Sequence, residues 1–151
     1  MNDDSRIMMI DITQKPDVVR VAKAEGEIHL KKETIQAIKE KEIKKGDVFT
    51  AAELAVINAV KKTSELILLA HPIQITGIKV SLDLIEKQTS LKLGVEVRSI
   101  GKTGVEIEAI MGVMTGLLTV FDMCKYLEKD ERGQYLKTNI SNIRVIEKTK
   151  E

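Results

Sequence analysis

Asp122 and Lys125 stand three residues apart in the run GVEIEAIMGVMTGLLTVFDMCKYL, residues 104–127. No proline interrupts this run, so one helix can carry both on one side as an i,i+3 pair. A carboxylate beside an ammonium can move protons, each group tuning the other. The same spacing also suits an ordinary structural ion pair, and the spacing alone leaves both readings open. At 100° per residue, Glu108, Thr115, Thr119 and Asp122 share a sector about 60° wide. A helix that is apolar except for one polar stripe is either deeply buried or covered by another subunit. Charges on such a stripe are costly to bury unless paired.

His71 is the second candidate. It follows the apolar run Leu66 to Ala70 and precedes Pro72, which pushes it out of helical backbone. Either a satisfied turn histidine or a functional one fits that place. Cys124, the single cysteine, has Met123, Val120 and Leu127 for company and reads as an inert core thiol. It rules out an intrachain disulfide and suits a reducing cytosol. Two histidines 42 residues apart and one cysteine make no metal-ligand cluster.

Composition excludes several classes. A net charge of +1 offers no field for nucleic acid or a membrane surface. Four aromatics (Phe49, Phe121, Tyr126, Tyr135) provide no base-stacking platform. A chain of 151 residues, 43% hydrophobic and 31% charged, is expected to be one soluble globular domain. The start, MNDDSRI, is polar, so no signal peptide is expected, and no charge-free run reaches membrane-spanning length. A cytoplasmic protein is the expectation.

The elements that must position these groups follow from pattern. Residues 1–17 read as a flexible segment containing a short extended piece, Met8 to Ile12, and residues 18–151 as a single catalytic domain. Residues 18–30 read as a strand whose apolar parity switches near Ala22 to Ala24, which predicts a bulge or kink there. Residues 32–42 form a short amphipathic helix on Ile35 and Ile38. Lys44-Lys45-Gly46-Asp47 is a turn, with Asp47 as N-cap of an alanine-rich helix ending near Lys62. Leu66 to Ile73 reads as a buried connection. Alternation at 78–84 and 91–97 gives a hairpin closed by Lys87-Gln88-Thr89. Thr103 and Glu106 offer a capping box for the long helix, and Lys102 reads as a solvated turn residue. Gly112 and Gly116 imply that another backbone comes close. A charged loop over 128–135 leads to a last strand over 136–148, with an irregularity at Ser141-Asn142. The order β-α-α-β-β-α-β is a split βαβ arrangement of the α+β class, an antiparallel sheet with helices on one face. Two helices this apolar also predict an oligomer.

Four stretches in this order resemble the molybdenum cofactor biosynthesis protein C family, the cyclic pyranopterin monophosphate synthases. They are Lys45-Gly46-Asp47-Val48-Phe49, Leu69-Ala70-His71-Pro72, Gly101 to Ala109, and Phe121-Asp122-Met123-Cys124-Lys125. Val19 to Ala24 also fits, and the likeness spans about residues 8–148. The resemblance implies a ferredoxin-like fold and a homo-hexamer built as a trimer of dimers, with active sites between subunits. It implies a lyase that converts 3′,8-cyclo-7,8-dihydro-GTP to cyclic pyranopterin monophosphate, releasing pyrophosphate, without nucleic-acid or membrane partners. It implies no resident cofactor or metal; Mg²⁺ can accompany the triphosphate. Carried over residue by residue, it implies that Asp122, Lys125, Lys45 and His71 are catalytic. It implies that Leu69, Ala70, His71, Ile107, Glu108, Arg20 and Lys61 bind substrate. Family members often have cysteine where this chain has Ala70, which argues against a thiol role there.

These residue types suit such chemistry. A triphosphate needs cations, and charge-assisted bonds to phosphate are the strong ones. Departure of pyrophosphate needs charge stabilised at the leaving oxygens. Glu108 can accept from guanine-type N–H donors, and His71 can donate to a phosphate or ring oxygen. Two rivals compete with this reading. One is a non-catalytic, nucleotide-sensing oligomeric module of the same fold; the other is a purely structural oligomerisation domain.

Overall fold

A computed structural model describes residues 6–151. Strands β1 (Val18–His29), β2 (Ile75–Ile85), β3 (Ser90–Gly101) and β4 (Asn139–Lys150) form one antiparallel sheet in the order β2-β3-β1-β4. Four helices join them: α1 (Lys32–Lys39), α2 (Val48–Lys61), the single turn α3 (Thr63–Leu66) and α4 (Glu106–Glu128). This is the expected ferredoxin-like split βαβ arrangement of the α+β class, with α2 and α4 packed together on one sheet face.

Alternation builds the layer. Leu91, Leu93, Val95 and Val97 of β3 all point into the core, where Val113, Leu117 and Val120 of α4 and Val56 and Val60 of α2 meet them. The opposite sheet face is polar and laced with ion pairs, such as Lys92 to Glu25 at 3.1 Å and Arg144 to Glu25 at 2.9 Å. By length and composition α4 could cross a bilayer, but half of its apolar window is buried against the sheet and α2. Its far end is tied down by Glu128, which is 1% exposed. That carboxylate accepts from the Lys31 backbone N–H at 3.0 Å, from the Thr34 hydroxyl, and from the Thr138 hydroxyl at 2.7 Å. An acid at the N-terminus of α1 satisfies a donor that α1 itself cannot.

Four expectations are corrected. An irregularity does fall at Lys23/Ala24, but its extra residue belongs to β4 rather than β1, for β1 pairs with β3 without a break from Val18 opposite Gly101 to His29 opposite Ser90. On the other side, Lys23 faces Glu147 and Ala24 faces Val145, so Ile146 is the extra residue. The second shift falls at Asn142, whose φ of 55° is left-handed, as the Ser141-Asn142 irregularity anticipated. Helix α4 begins at Glu106 after Val105, with no side-chain cap, so Thr103 is not its N-cap. Leu66 to Leu69 are not buried within one chain; Leu68 is 79% exposed. A Cβ on Gly112 would lie 2.9 Å from Val60 Cγ2, and one on Gly116 2.7 Å from Leu93 Cδ1. The close neighbours of both glycines are thus side chains of α2 and β3, not a foreign backbone. The short piece Met8 to Ile12 joins no strand of the sheet. Of the segment expected to be flexible, residues 1–5 lie outside the described residues; residues 10–15 run against His71 and Lys102.

Candidate active site

The turn before α2 delivers Lys45 to α4. Gly46 takes φ 121°, a left-handed value that glycine adopts without strain, and its N–H closes the turn on the Ile43 carbonyl at 3.0 Å. Asp47 then caps α2, accepting from the Thr50 N–H at 3.3 Å and the Thr50 hydroxyl at 2.5 Å. Tyr126 holds the turn from the other side. Its hydroxyl accepts from the Lys44 N–H at 3.1 Å, and the Lys44 ammonium sits 5.2 Å from its ring centre.

With the turn so fixed, Lys45 Nζ donates to Asp122 Oδ2 at 2.9 Å and lies 3.4 Å from the Asp122 carbonyl. Lys125 Nζ approaches Oδ1 of the same carboxylate at 3.6 Å. The hydrogen bond from Lys45 holds the Asp122 carboxyl below the usual carboxylate range, and the charges of Lys45 and Lys125 add to it. All three side chains are about half exposed, so the cluster opens to solvent in a single chain. Two ammonium groups around one carboxylate leave a net positive charge for an anion.

His71 is not part of that cluster within one chain. It shares a 180 Å³ cavity with Gly101, Lys102 and Thr103, just ahead of the start of α4. Sixteen helical steps along α4 separate Glu106 from Asp122, about 24 Å of helix. Most of the remaining predicted binding residues gather near the His71 end. Arg20, on β1 opposite Ser99, is only 5% exposed. It donates from Nε to the Gly101 carbonyl at 3.4 Å and from Nη2 to the Lys102 carbonyl at 3.2 Å. Among the described residues no carboxylate pairs with it, so a guanidinium taken out of water faces this end without a counter-ion. Lys61 ends α2 and lines a shallow cavity with Ile57, Ile75 and Thr76. Ile107 is 46% exposed on the first turn of α4, while its neighbour Glu108 is 4% exposed. Burial pushes the Glu108 carboxyl up, with the Glu106 charge adding to it. Leu69 is exposed and Ala70 partly so.

The i,i+3 spacing anticipated the Asp122–Lys125 pair, whereas Lys102, expected to be a solvated turn residue, lines the His71 cavity. Sequence reasoning also missed Tyr126, whose place one turn beyond Asp122 was the available signal. Among the described residues no group of three or more His, Cys, Asp or Glu could hold a metal ion.

The model of the MoaC family matches residues 9–151. The chain belongs to the MoaC family. A relative from Archaeoglobus fulgidus, named a probable cyclic pyranopterin monophosphate synthase, is 51% identical over 98% of this chain and 94% of its own length. One from Pyrococcus furiosus with the same name is 49% identical over 99% of this chain and 94% of its own. A third, from Methanothermobacter thermautotrophicus, is 50% identical over 98% of this chain and 92% of its own. That protein is named a probable cyclic pyranopterin monophosphate synthase accessory protein. The MoaC match covers both clusters, the carboxylate held by two ammonium groups and the His71 cavity.

Proposed function

We propose that this protein is a cyclic pyranopterin monophosphate synthase, a lyase of molybdenum cofactor biosynthesis. It takes 3′,8-cyclo-7,8-dihydro-GTP to cyclic pyranopterin monophosphate and releases pyrophosphate. The observation that carries the reading is the Lys45–Asp122–Lys125 cluster, with both ammonium groups on one carboxylate. When a substrate hydroxyl attacks the first phosphorus, a P–O bond forms, the bond to pyrophosphate breaks, and the hydroxyl proton must leave. The two ammonium groups offset charge on the departing oxygens, and the ionised Asp122 is the acceptor at hand for a proton. No resident cofactor enters this scheme, and Mg²⁺ arrives with the triphosphate.

The same proposal places the complete site between subunits. In one chain the cluster and His71 are separated by most of α4, and the cluster stands open to water. Along α2, α4 and the segment that follows α2, Leu54, Leu66, Leu68, Ile107, Met114 and Leu118 are exposed, a surface that a second copy would cover. The assembly is a hexamer of three dimers in the cytoplasm, where the buried free thiol of Cys124 stays reduced.

A nucleotide-sensing module is the weaker reading, because binding a triphosphate needs cations but not a carboxylate clamped between two of them. The deciding experiment is pyrophosphate release from the cyclised dihydro-GTP by the purified protein. A synthase releases pyrophosphate stoichiometrically with cyclic product. Saturable binding with no release would leave sensing, or an accessory role, as the function.

A further inference from the structure

His71 carries its own orienting device. Its Nε2 lies 2.6 Å from the carbonyl oxygen of Ile10. A carbonyl only accepts, so Nε2 must carry a proton, and in the neutral ring Nδ1 is left as a lone-pair acceptor. The segment that brings Ile10 there is shaped by a turn. Asp11 Oδ1 accepts from the Thr13 N–H at 2.8 Å and from the Thr13 hydroxyl at 2.5 Å. Two residues further on, Lys102 Nζ donates to the Lys15 carbonyl at 2.8 Å and the Thr13 carbonyl at 3.3 Å. His71 and Lys102 therefore share one strap and line the same two cavities, of 180 and 540 Å³.

We propose that residues 10–15 are a positioning element of the binding half-site. The Ile10 carbonyl sets His71 as the Nε2–H tautomer, so that Nδ1 accepts from a hydroxyl or ring N–H of the substrate. The Thr13 and Lys15 carbonyls hold the Lys102 ammonium beside it for the anionic part of the same molecule. This rests on the proposed function for the identity of the substrate, but not for the tautomer. It also revises the expected chemistry of His71. With Nε2 already engaged, the neutral ring has only the Nδ1 lone pair to offer, so donation to a phosphate would need the imidazolium form.

The chain contains only two histidines, so two-bond ¹H–¹⁵N correlation of the imidazoles in the full-length protein reads each tautomer separately. His29 is assigned by its loss in His29→Gln. At pH 8 His71 is expected to show a protonated Nε2 and a bare Nδ1. The double variant Asp11→Gly/Thr13→Gly removes the turn that presents Ile10. Its His71 is expected to drift to an averaged mixture of tautomers, with KM for the substrate raised about threefold to tenfold, the size of one lost hydrogen bond. Asp11→Asn keeps the turn acceptor and is expected to keep the single tautomer. A bare Nε2 in the wild type, or a single Nε2–H tautomer that survives the double variant, overturns the proposal. Both readings stand apart from the catalytic assignment, because the tautomer is visible whether or not pyrophosphate is released.

Discussion

In the proposed mechanism Asp122 accepts the proton, and its charge state is set by its neighbours. Lys45 and Lys125 depress the folded value, so ionisation favours the folded cluster. That stabilisation is complete above the ordinary carboxylate value of about 4 and is lost as pH falls through the lowered one. A fall in turnover between pH 7 and pH 5 therefore has another source. Asp122→Asn is expected to lower kcat at every pH yet leave any such limb where it was; a limb that vanishes with the substitution would assign it to Asp122. Cys124 gives the opposite case. Burial pushes its thiol up to about 12, with the Glu128 charge contributing. The thiol is protonated and enclosed at neutral pH. Iodoacetamide at pH 8 is expected to leave the native protein unmodified by mass and to label it fully in denaturant.

At the scale of elements, the site depends on how closely a turn and two helices meet. Tyr126 joins the Lys44–Lys45 turn to α4 through one hydrogen bond and a cation–ring contact. Tyr126→Phe keeps the ring and removes the hydroxyl. Stability should fall by about 1 kcal/mol, and kcat by several-fold as Lys45 loses its aim at Asp122. Unchanged kcat in steady-state assays would show that the turn needs no such support. The helix pair has no slack at Gly116, where a Cβ would lie 2.8 Å from Val56 Cγ2 and 2.7 Å from Leu93 Cδ1. Gly116→Ala gains helix propensity but must push these side chains aside. A net loss of about 1–3 kcal/mol in urea unfolding is expected, the usual cost of overpacking.

The whole molecule sets the question of where a complete site lies. One chain holds Asp122 with two lysines near one end of α4, and His71, Arg20 and Lys102 near the other. If neighbouring copies join unlike ends, two inactive variants can repair each other. Lys45→Ala mixed with His71→Ala, unfolded together and refolded, is expected to recover about a quarter of wild-type turnover, since random pairing leaves that share of sites intact. Each variant alone should stay near zero. No recovery in the mixture, with oligomers intact by sedimentation, would show that neighbouring copies do not complete the site.

Pattern alone determined much of this protein. Alternation in β3, the i,i+3 pairing of Asp122 with Lys125, the Asp47 cap and the element order are local consequences of side-chain spacing, and the structure repeats them. The family likeness, spread over separated motifs, likewise lies in the sequence. Contacts between residues distant along the chain do not. Tyr126 reaches back 82 residues to Lys44, Ile10 reaches 61 residues to His71, and the extra residues opposite β1 fall in β4 because β1 is held in register by β3. The exposure of Leu66 to Leu69 was equally hidden, since an apolar run looks the same whether its own core or another surface takes it. Periodicity states which face of an element avoids water, and only the folded chain decides what that face meets.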